Sequence, residues 1–597
     1  MREEMTTPGL SCQRQHGNWP RVVEPDPNFA VKLVSDCEPG HCQHNAHRTT
    51  VTRSDDRPGP EFRGTYRDDA AARAVYAEAA GVARVMPRAV AVPADVDDII
   101  ALLHWARAGG LSLVPRASGS SMPGGAVGSG VVVDLSRMDA IGTPDPTTRR
   151  IVVGPGAIRN SVDAAARAVG LRFPVDPSSG AFCSVGGMVS TNAAGARTLL
   201  HGSTRRWVHA LECVFADGAR AVVRRGEPAP RVSAIDRFLA DVAPSIRDAR
   251  ATIDKGLLRK NSSGYGLAEF SASGELIDLL VGSEGTLALI VGVELDLAPL
   301  PGATASLLAS YATLDAAVTG TDAARRASAS ACELLDRTFL DVAARGAPLP
   351  VPATTEAVLL IEIEAPDAEL AERAARSLAD ELRSAGATGV TIGLDPDEEE
   401  RLWELRHAAS PILSRLDPSL KSMQFIEDGV VPPARLADYV RGVRAALSAH
   451  DTPGVIFGHA GDAHVHVNPL VDVRRDGWRA RVAGVLSDVV DLTARLGGSL
   501  SGEHGDGWLR APLLDRTTSP EVLELARRVK HAFDPEHVLN PGVKVPLPGQ
   551  QPLGDIKYDP MLPEIPSASA RVLQRVERDR AYAEFRLGML EREERTG

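Results

Sequence analysis

Arg116-Ala117-Ser118-Gly119-Ser120-Ser121-Met122-Pro123-Gly124-Gly125 stands between two apolar runs, Leu111 to Pro115 before it and Val131-Val132-Val133-Asp134-Leu135 after it. Short, β-branched runs bounded by turn residues read as buried strands. A strand that runs straight into glycine and serine has a physical use. Small side chains let backbone N–H groups approach an anion, and successive N–H groups form a nest for phosphate. A single loop of this kind could as readily be a plain turn, but here others follow in order. Pro177-Ser178-Ser179 leads to Val185-Gly186-Gly187-Met188 and Thr191-Asn192-Ala193-Ala194-Gly195, and later comes Gly282-Ser283-Glu284-Gly285-Thr286. Upstream, a helical pattern covers Asp68 to Ala83. Ala89 to Pro93 reads as a strand, and Asp95 and Asp97 open an amphipathic helix that Gly109-Gly110 stops.

The chain has 597 residues, enough for two or three folded units. Its net charge of -12 disfavours a nucleic-acid partner, which needs a basic surface. No long uninterrupted apolar run marks a transmembrane helix, and the start lacks the apolar centre of a secretory signal. A cytoplasmic location, with peripheral membrane attachment as the variant, is expected. The six cysteines form no disulfide framework. Residues 1–60 show little periodicity and read as a polar, poorly ordered leader. A small knot of Cys37, His41, Cys42 and His44 is the less favoured reading.

Beyond Pro299 to Gly302, strands and helices alternate, which suggests a sheet covered by helices. Ala303 to Ser310 and Glu356 to Glu364 read as strands. Asp367 to Ala385 and Arg401 to Arg415 read as helices, with Arg406 and Ser410 one turn apart on a face. Then comes His459-Ala460-Gly461-Asp462-Ala463-His464-Val465-His466-Val467-Asn468, answered by Gly502-Glu503-His504-Gly505. In a strand, His464, His466 and Asn468 share a face, with His459 joining from the turn. Imidazoles with one carboxylate suit zinc, iron or manganese; a histidine-rich surface loop is the plain alternative.

These ordered motifs resemble FAD-linked D-2-hydroxy-acid dehydrogenases (D-lactate, glycolate and D-2-hydroxyglutarate dehydrogenases) from about residue 62 to 545. The resemblance implies an α+β fold: a two-subdomain FAD-binding domain of the vanillyl-alcohol-oxidase type (61–298) and an α+β cap for substrate (299–496). A segment returning to the flavin (497–545) and a charged tail with a surface helix from Ser567 to Glu594 (546–597) complete the expected order. By the same resemblance, Arg116, Ala117, Ser118, Gly119, Ser120 and Ser121 cradle the diphosphate of FAD. Pro177, Ser178, Gly186, Gly187, Asn192, Ala193 and Gly195 line the flavin, Glu284, Gly285 and Thr286 close the adenine side, and Asn540 touches the ring. Ala117 and Ser120 stand where the family has Gly and Thr. No His or Cys occupies the tethering place, so FAD is expected to be non-covalent.

The resemblance also implies roles for the second half. His459, His466 and Glu503 hold a divalent metal, zinc first with iron or manganese as alternatives, and His464 is a further candidate ligand. Arg406 clamps the substrate carboxylate, because a planar guanidinium grips a carboxylate with two hydrogen bonds. His504, next to a ligand and of a residue type that titrates near neutral pH, is the expected base on its own chemistry. Ser410, Lys421 and Asn468 are further substrate contacts. Ala463 and His464 replace the family's Gly and Asn. The expected reaction is oxidation of a D-2-hydroxy acid to the 2-oxo acid by hydride transfer to flavin. Electrons would leave to an external acceptor: a separate iron-sulfur protein, an electron-transfer flavoprotein or a quinone, since no cluster-type cysteine array is present. Two rivals are a flavin-dependent oxidase or flavoprotein subunit of this fold with another substrate, and, remotely, a metal-dependent hydrolase suggested by His464-Val465-His466.

Overall fold

The structure, a computed structural model, describes residues 58–59, 61–253, 258–346, 348–407 and 419–593. The expectations for the leader, for the Cys37–His44 knot and for Ser410 fall outside these residues. Among the described residues no helix is long and apolar enough to cross a membrane.

The opening loop lies where parallel strands end. Ala89–Val92, Val131–Asp134 and Leu113–Arg116 pair in parallel, with Thr65–Arg67 antiparallel at the edge. The helix Val96–Ala108 makes the crossover. The Asp95 side chain caps it by accepting the Asp98 N–H, Asp97 and Asp98 sit at the positive end of its dipole, and Ile99, Leu102, Leu103 and Ala106 are buried against the sheet. Carboxyl ends of parallel strands are where open α/β sheets bind ligands, and Leu113–Arg116 delivers the chain into the Ser/Gly loop there. Gly119 sits at φ +76°, a left-handed conformation that glycine takes without penalty. A second, antiparallel sheet orders Arg150–Val153, Leu289–Asp296, Val208–Val214 and Arg220–Arg224. Helix Pro520–Phe533 returns to its core, with Val529 and Phe533 buried beside Phe238.

The cap is built on eight antiparallel strands. Ala387–Gly393, Ala303–Tyr311, Ala357–Ala365, Ala331–Asp336, Gly454–His459, His464–Asp472 and Leu420–Ser422 follow in spatial order, with Gly429–Val430 also paired to His464–Asp472. Alternation divides each strand. Leu334, Ile361, Ile456, Val465 and Val467 pack with residues of the helices Leu314–Arg326, Ala368–Ser384, Leu436–Ala449 and Trp478–Arg495 in one apolar core. Each such fully buried aliphatic side chain contributes roughly 1.5–3 kcal/mol. The other face carries Glu333, Glu362, Glu364, Phe457, His459 and His466. That face docks on the first lobe through ion pairs: Arg197 holds Asp176 and Glu362, and Arg172 and His201 hold Glu364.

The segment after residue 496 returns to the first lobe. The Asn540 N–H donates to Leu113 O at 2.8 Å, and the backbone N–H groups of Asp506 and Gly507 donate to Glu284. The tail differs from a single surface helix. It forms Ser567–Asp579 and Glu584–Glu593, separated at Arg580, whose left-handed backbone (φ 54°) ends the first helix. Its outer face is solvated, but Ser569, Val576 and Arg586 are buried.

Candidate functional site

His459 ends the strand Gly454–His459 directly opposite Glu333, and His466 stands opposite Phe457 on the neighbouring strand. A 3-10 turn, Ala460–Asp462, joins the two strands. Ala463 then takes a left-handed backbone, φ 54°, which costs a Cβ-bearing residue roughly 1–2 kcal/mol and which glycine would take freely. The turn places three ring systems together.

Each ring is oriented by an acceptor. His459 Nδ1 is 2.5 Å from Glu333 Oε1, and His466 Nδ1 is 2.8 Å from the Glu427 carbonyl. Carbonyl and carboxylate oxygens accept, so the Nδ1 positions donate and both Nε2 atoms face inward. Those two atoms are 3.2 Å apart, and each is 3.3 Å from Glu503 Oε1. A tetrahedron with edges of about 3.3 Å has its centre about 2.0 Å from each vertex, which is the zinc–nitrogen distance. The three donors therefore fit a tetrahedral divalent ion. Burial alone would favour a neutral His459, but the Glu333 charge overcomes it and raises its pKa to about 9. Burial opposes ionisation of Glu503, yet the Lys260 ammonium at 2.8 Å and His459 hold its pKa well below the usual range.

His464 is fully buried. Its Nε2 donates to Asp428 Oδ1 at 2.8 Å, and its Nδ1 has no hydrogen-bond partner. Burial first, then the Lys260 charge, keeps this ring neutral by pushing its pKa well down. A neutral ring with an unshared pair on Nδ1 can serve as a ligand, and His459, His464, His466 and Glu503 each place a ligand atom within 4.8 Å of the others.

His504 Nδ1 lies 3.3 Å from Glu427 Oε1, and its ring stacks on His466 with centroids 5.4 Å apart. Burial lowers the His504 pKa, but Asp428 and Glu427 outweigh this and raise it above the ordinary value. Asp428 also accepts from the Ser501 hydroxyl and the His504 backbone N–H (2.9 Å), so one carboxylate fixes the Ser501–His504 loop. Arg510 pairs with Glu427.

Arg406, on the helix Pro396–His407, donates through Nε to Glu333 Oε2 at 2.8 Å, and its guanidinium lies 4.6 Å from the Phe457 ring centre. Glu333 thus bridges His459 and Arg406. Asn468 Oδ1 accepts from Gln424 at 3.3 Å, and Lys421 Nζ stands 5.6 Å from the Tyr558 ring centre. Arg406, Lys421, Asn468, His459, His466, Glu503 and His504 all face one cleft of about 1960 Å³. Single small-molecule pockets are about 300–1,000 Å³, so this cleft has room for a dinucleotide and a substrate together.

The predicted cofactor residues Arg116 through Ser121, Pro177, Ser178, Gly186, Gly187, Ala193, Gly195, Glu284 and Gly285 line the same cleft. Asn192, Thr286 and Asn540 stand behind its wall. Asn192 Oδ1 accepts the Arg205 N–H at 3.0 Å, and Thr286 Oγ1 bonds Tyr265 at 2.8 Å. Asn540 Nδ2 donates to Gly125 O and Glu284 O at 3.0 and 2.8 Å, leaving its buried Oδ1 unpartnered. Glu284 anchors the Gly505–Gly507 turn and pairs with Lys544 at 2.8 Å. The Gly195 Cα lies so close to Asp176 that a Cβ would meet Asp176 O at 2.3 Å.

Sequence reasoning passed over Glu333, Lys260, Glu427, Asp428 and Arg510 as site residues. A lone Glu333 inside the apolar run Ala331–Leu335 is a signal in itself, since an unpaired carboxylate has no place in a core.

Residues 87–223 match the FAD binding domain family, and residues 300–543 match the C-terminal domain of the FAD linked oxidases. The chain is 31% identical over 489 residues to the glycolate oxidase subunit GlcD of Bacillus subtilis, covering 81% of this chain and 94% of that protein. It is also 31% identical to the D-lactate dehydrogenase of Archaeoglobus fulgidus, covering 77% and 92%. With the D-2-hydroxyglutarate dehydrogenase of Escherichia coli it shares 29% identity over 78% of this chain and 49% of that one. Among solved structures, the 4-ethylphenol oxidase of Gulosibacter chungangensis aligns with a TM-score of 0.59 at 16% identity, covering 82% of this chain and 94% of that chain; this likeness concerns the fold.

Proposed function

The chain belongs to the FAD-linked oxidase family, an FAD-dependent oxidoreductase acting on hydroxy acids, and from that premise we propose that it oxidises a D-2-hydroxy acid to the 2-oxo acid with the help of a divalent metal. The observation that carries this reading is the convergence of an arginine, a tetrahedral half-shell of donors and a histidine oriented by Glu427 on the cleft that the Ser/Gly loop also lines.

Bound among His459, His466 and Glu503, a divalent ion supplies Lewis acidity toward substrate oxygens, and FAD supplies a hydride acceptor. Zinc suits these donors best, and His464, which places a ring nitrogen within 4.8 Å of theirs, is a further candidate. The remaining work belongs to the chain. Arg406, held by Glu333 through Nε, keeps its other nitrogens for the substrate carboxylate. Lys421 and Asn468, on the same cleft, meet the substituent of the acid. His504, oriented by Glu427, takes the hydroxyl proton while the hydrogen on the same carbon leaves with its electron pair. Glu333 prevents the carboxylate clamp and the metal ligand from drifting apart. Electrons leave to an external acceptor.

The test is an anaerobic screen of D- and L-2-hydroxy acids, following flavin absorbance with metal content measured in the same sample. Bleaching by a D-acid, with its L-enantiomer inert, is expected. A flavin that no 2-hydroxy acid reduces would remove the proposal.

A further inference from the structure

The carboxy-terminal segment lies beyond the family match, which ends at residue 543, and none of its residues enters the chemistry above. It nevertheless forms a wall of the cleft, contributed by residues from Lys557 to Arg586. The polar groups it brings there are unusual in their partners. Arg586, 1% exposed, donates through Nε to Val75 O at 3.0 Å, through Nη2 to Glu78 O at 3.1 Å and through Nη1 to Tyr582 O. Lys557 Nζ donates to Ala79 O and Ala80 O at 3.4 and 3.2 Å. Arg116, from the first lobe, shares Glu78 O at 3.0 Å and reaches Ala126 O at 3.2 Å.

Three cations thus gather on the carbonyls of one turn, Glu78–Ala80. Among the described residues no carboxylate lies within ion-pair distance of any of them. The acidic groups nearby are engaged elsewhere: Asp134 accepts from the Tyr76 hydroxyl at 2.6 Å and the Ser136 N–H at 2.8 Å, Glu78 pairs with Arg84 at 2.7 Å, and Glu577 accepts from Tyr558 at 3.2 Å. Arg116 and Arg586 are buried and Lys557 is half-buried; each also lies over a tyrosine ring, Tyr76, Tyr582 and Tyr558 at 5.2, 6.0 and 5.0 Å, but like charges held by carbonyls and ring faces without a carboxylate are costly without an anion. Burial, and then the Arg116 charge, lower the Arg586 pKa to about 9, which registers the same excess.

The turn itself points to the anion. Ala80 N–H donates to Gly119 O and Gly81 N–H to Ser121 O, both at 3.2 Å, so the cations converge behind the loop whose glycines and serines suit a phosphate. A guanidinium carries five N–H donors, and Arg586 has N–H groups on Nη1 and Nη2 beyond those bonded to carbonyls. We propose that the carboxy-terminal segment is part of the cofactor site, with Arg586 and Lys557 joining Arg116 to hold the diphosphate of FAD. This rests on the chain being an FAD enzyme and is independent of the hydroxy-acid substrate.

The experiment uses the full chain stripped of flavin and titrated with FAD and, separately, with riboflavin, which lacks the diphosphate. Arg586→Ala should raise the Kd for FAD at least tenfold and leave that for riboflavin within twofold, with Arg586→Lys in between. An unchanged FAD Kd overturns the proposal. So does a loss of the same factor for both flavins, which would make Arg586 a structural brace. Should Arg586→Ala not fold, Lys557→Gln provides the same reading in the folded protein: a several-fold rise for FAD alone supports the proposal, and equal Kd ratios to the parent overturn it.

Discussion

Around the histidines, Glu333, Glu427, Asp428 and Glu503 are buried beside Arg406, Arg510 and Lys260, every carboxylate in an ion pair. On the wall built by the carboxy-terminal segment, Arg116, Arg586 and Lys557 rest on carbonyl oxygens instead. The first wall turns two imidazole nitrogens and a Glu503 oxygen toward one point, and the second carries cations that, among the described residues, have no carboxylate within ion-pair distance. Buried groups of one sign are stable only with a partner of the other. The difference is the one that the proposals made above require, a metal held by one wall and the diphosphate of FAD by the other.

The largest effect expected on the first wall comes from His504, the proposed base. His504→Ala should leave FAD and metal content unchanged and slow anaerobic flavin reduction by substrate about 10³-fold, the scale of a lost general base. Near-normal reduction would show that the wall holds substrate without moving its proton.

A smaller effect concerns how the lobes meet. Burial opposes ionisation of Glu364, but hydrogen bonds from His201 and Arg172 outweigh it and lower its pKa from 4.5 to about 2. A depressed carboxylate contributes stability that is complete above pH 4.5 and lost as pH falls toward 2. Glu364→Gln should therefore lower Tm by a few degrees at pH 6 and draw level with the parent at the acid end of that window. Parallel Tm curves over the whole range would remove Glu364 from the account.

The glycine-rich half was legible because its function is written in backbone: Gly119 needs a positive φ, and Gly195 needs its missing Cβ, so residue type alone reports the local shape. Alternation along His464–Asn468 showed which side chains share a face, whereas the expected ligand set of His459, His466 and Glu503 came from the resemblance. Glu333 and Lys260 were not legible, because their meaning depends on partners 126 and 243 residues away in the chain. The tail read as a solvated helix because its charged residues dominate its composition. That one arginine, Arg586, turns inward is decided by the turn at Arg580 and by the carbonyls of Val75 and Glu78, which no local pattern announces. Ala463 is the converse case: the departure from glycine was visible, and the structure supplies its cost, a left-handed residue with a Cβ.

The central claim, that one wall is built for a cation on which the reaction depends, is tested most directly by removing that cation. Protein treated with a strong chelator and desalted should keep its FAD absorbance and lose reduction by a D-2-hydroxy acid, and one equivalent of zinc, or of manganese or iron if those are the native ions, should restore it. Flavin reduction at an undiminished rate in protein shown to be free of metal would contradict the account.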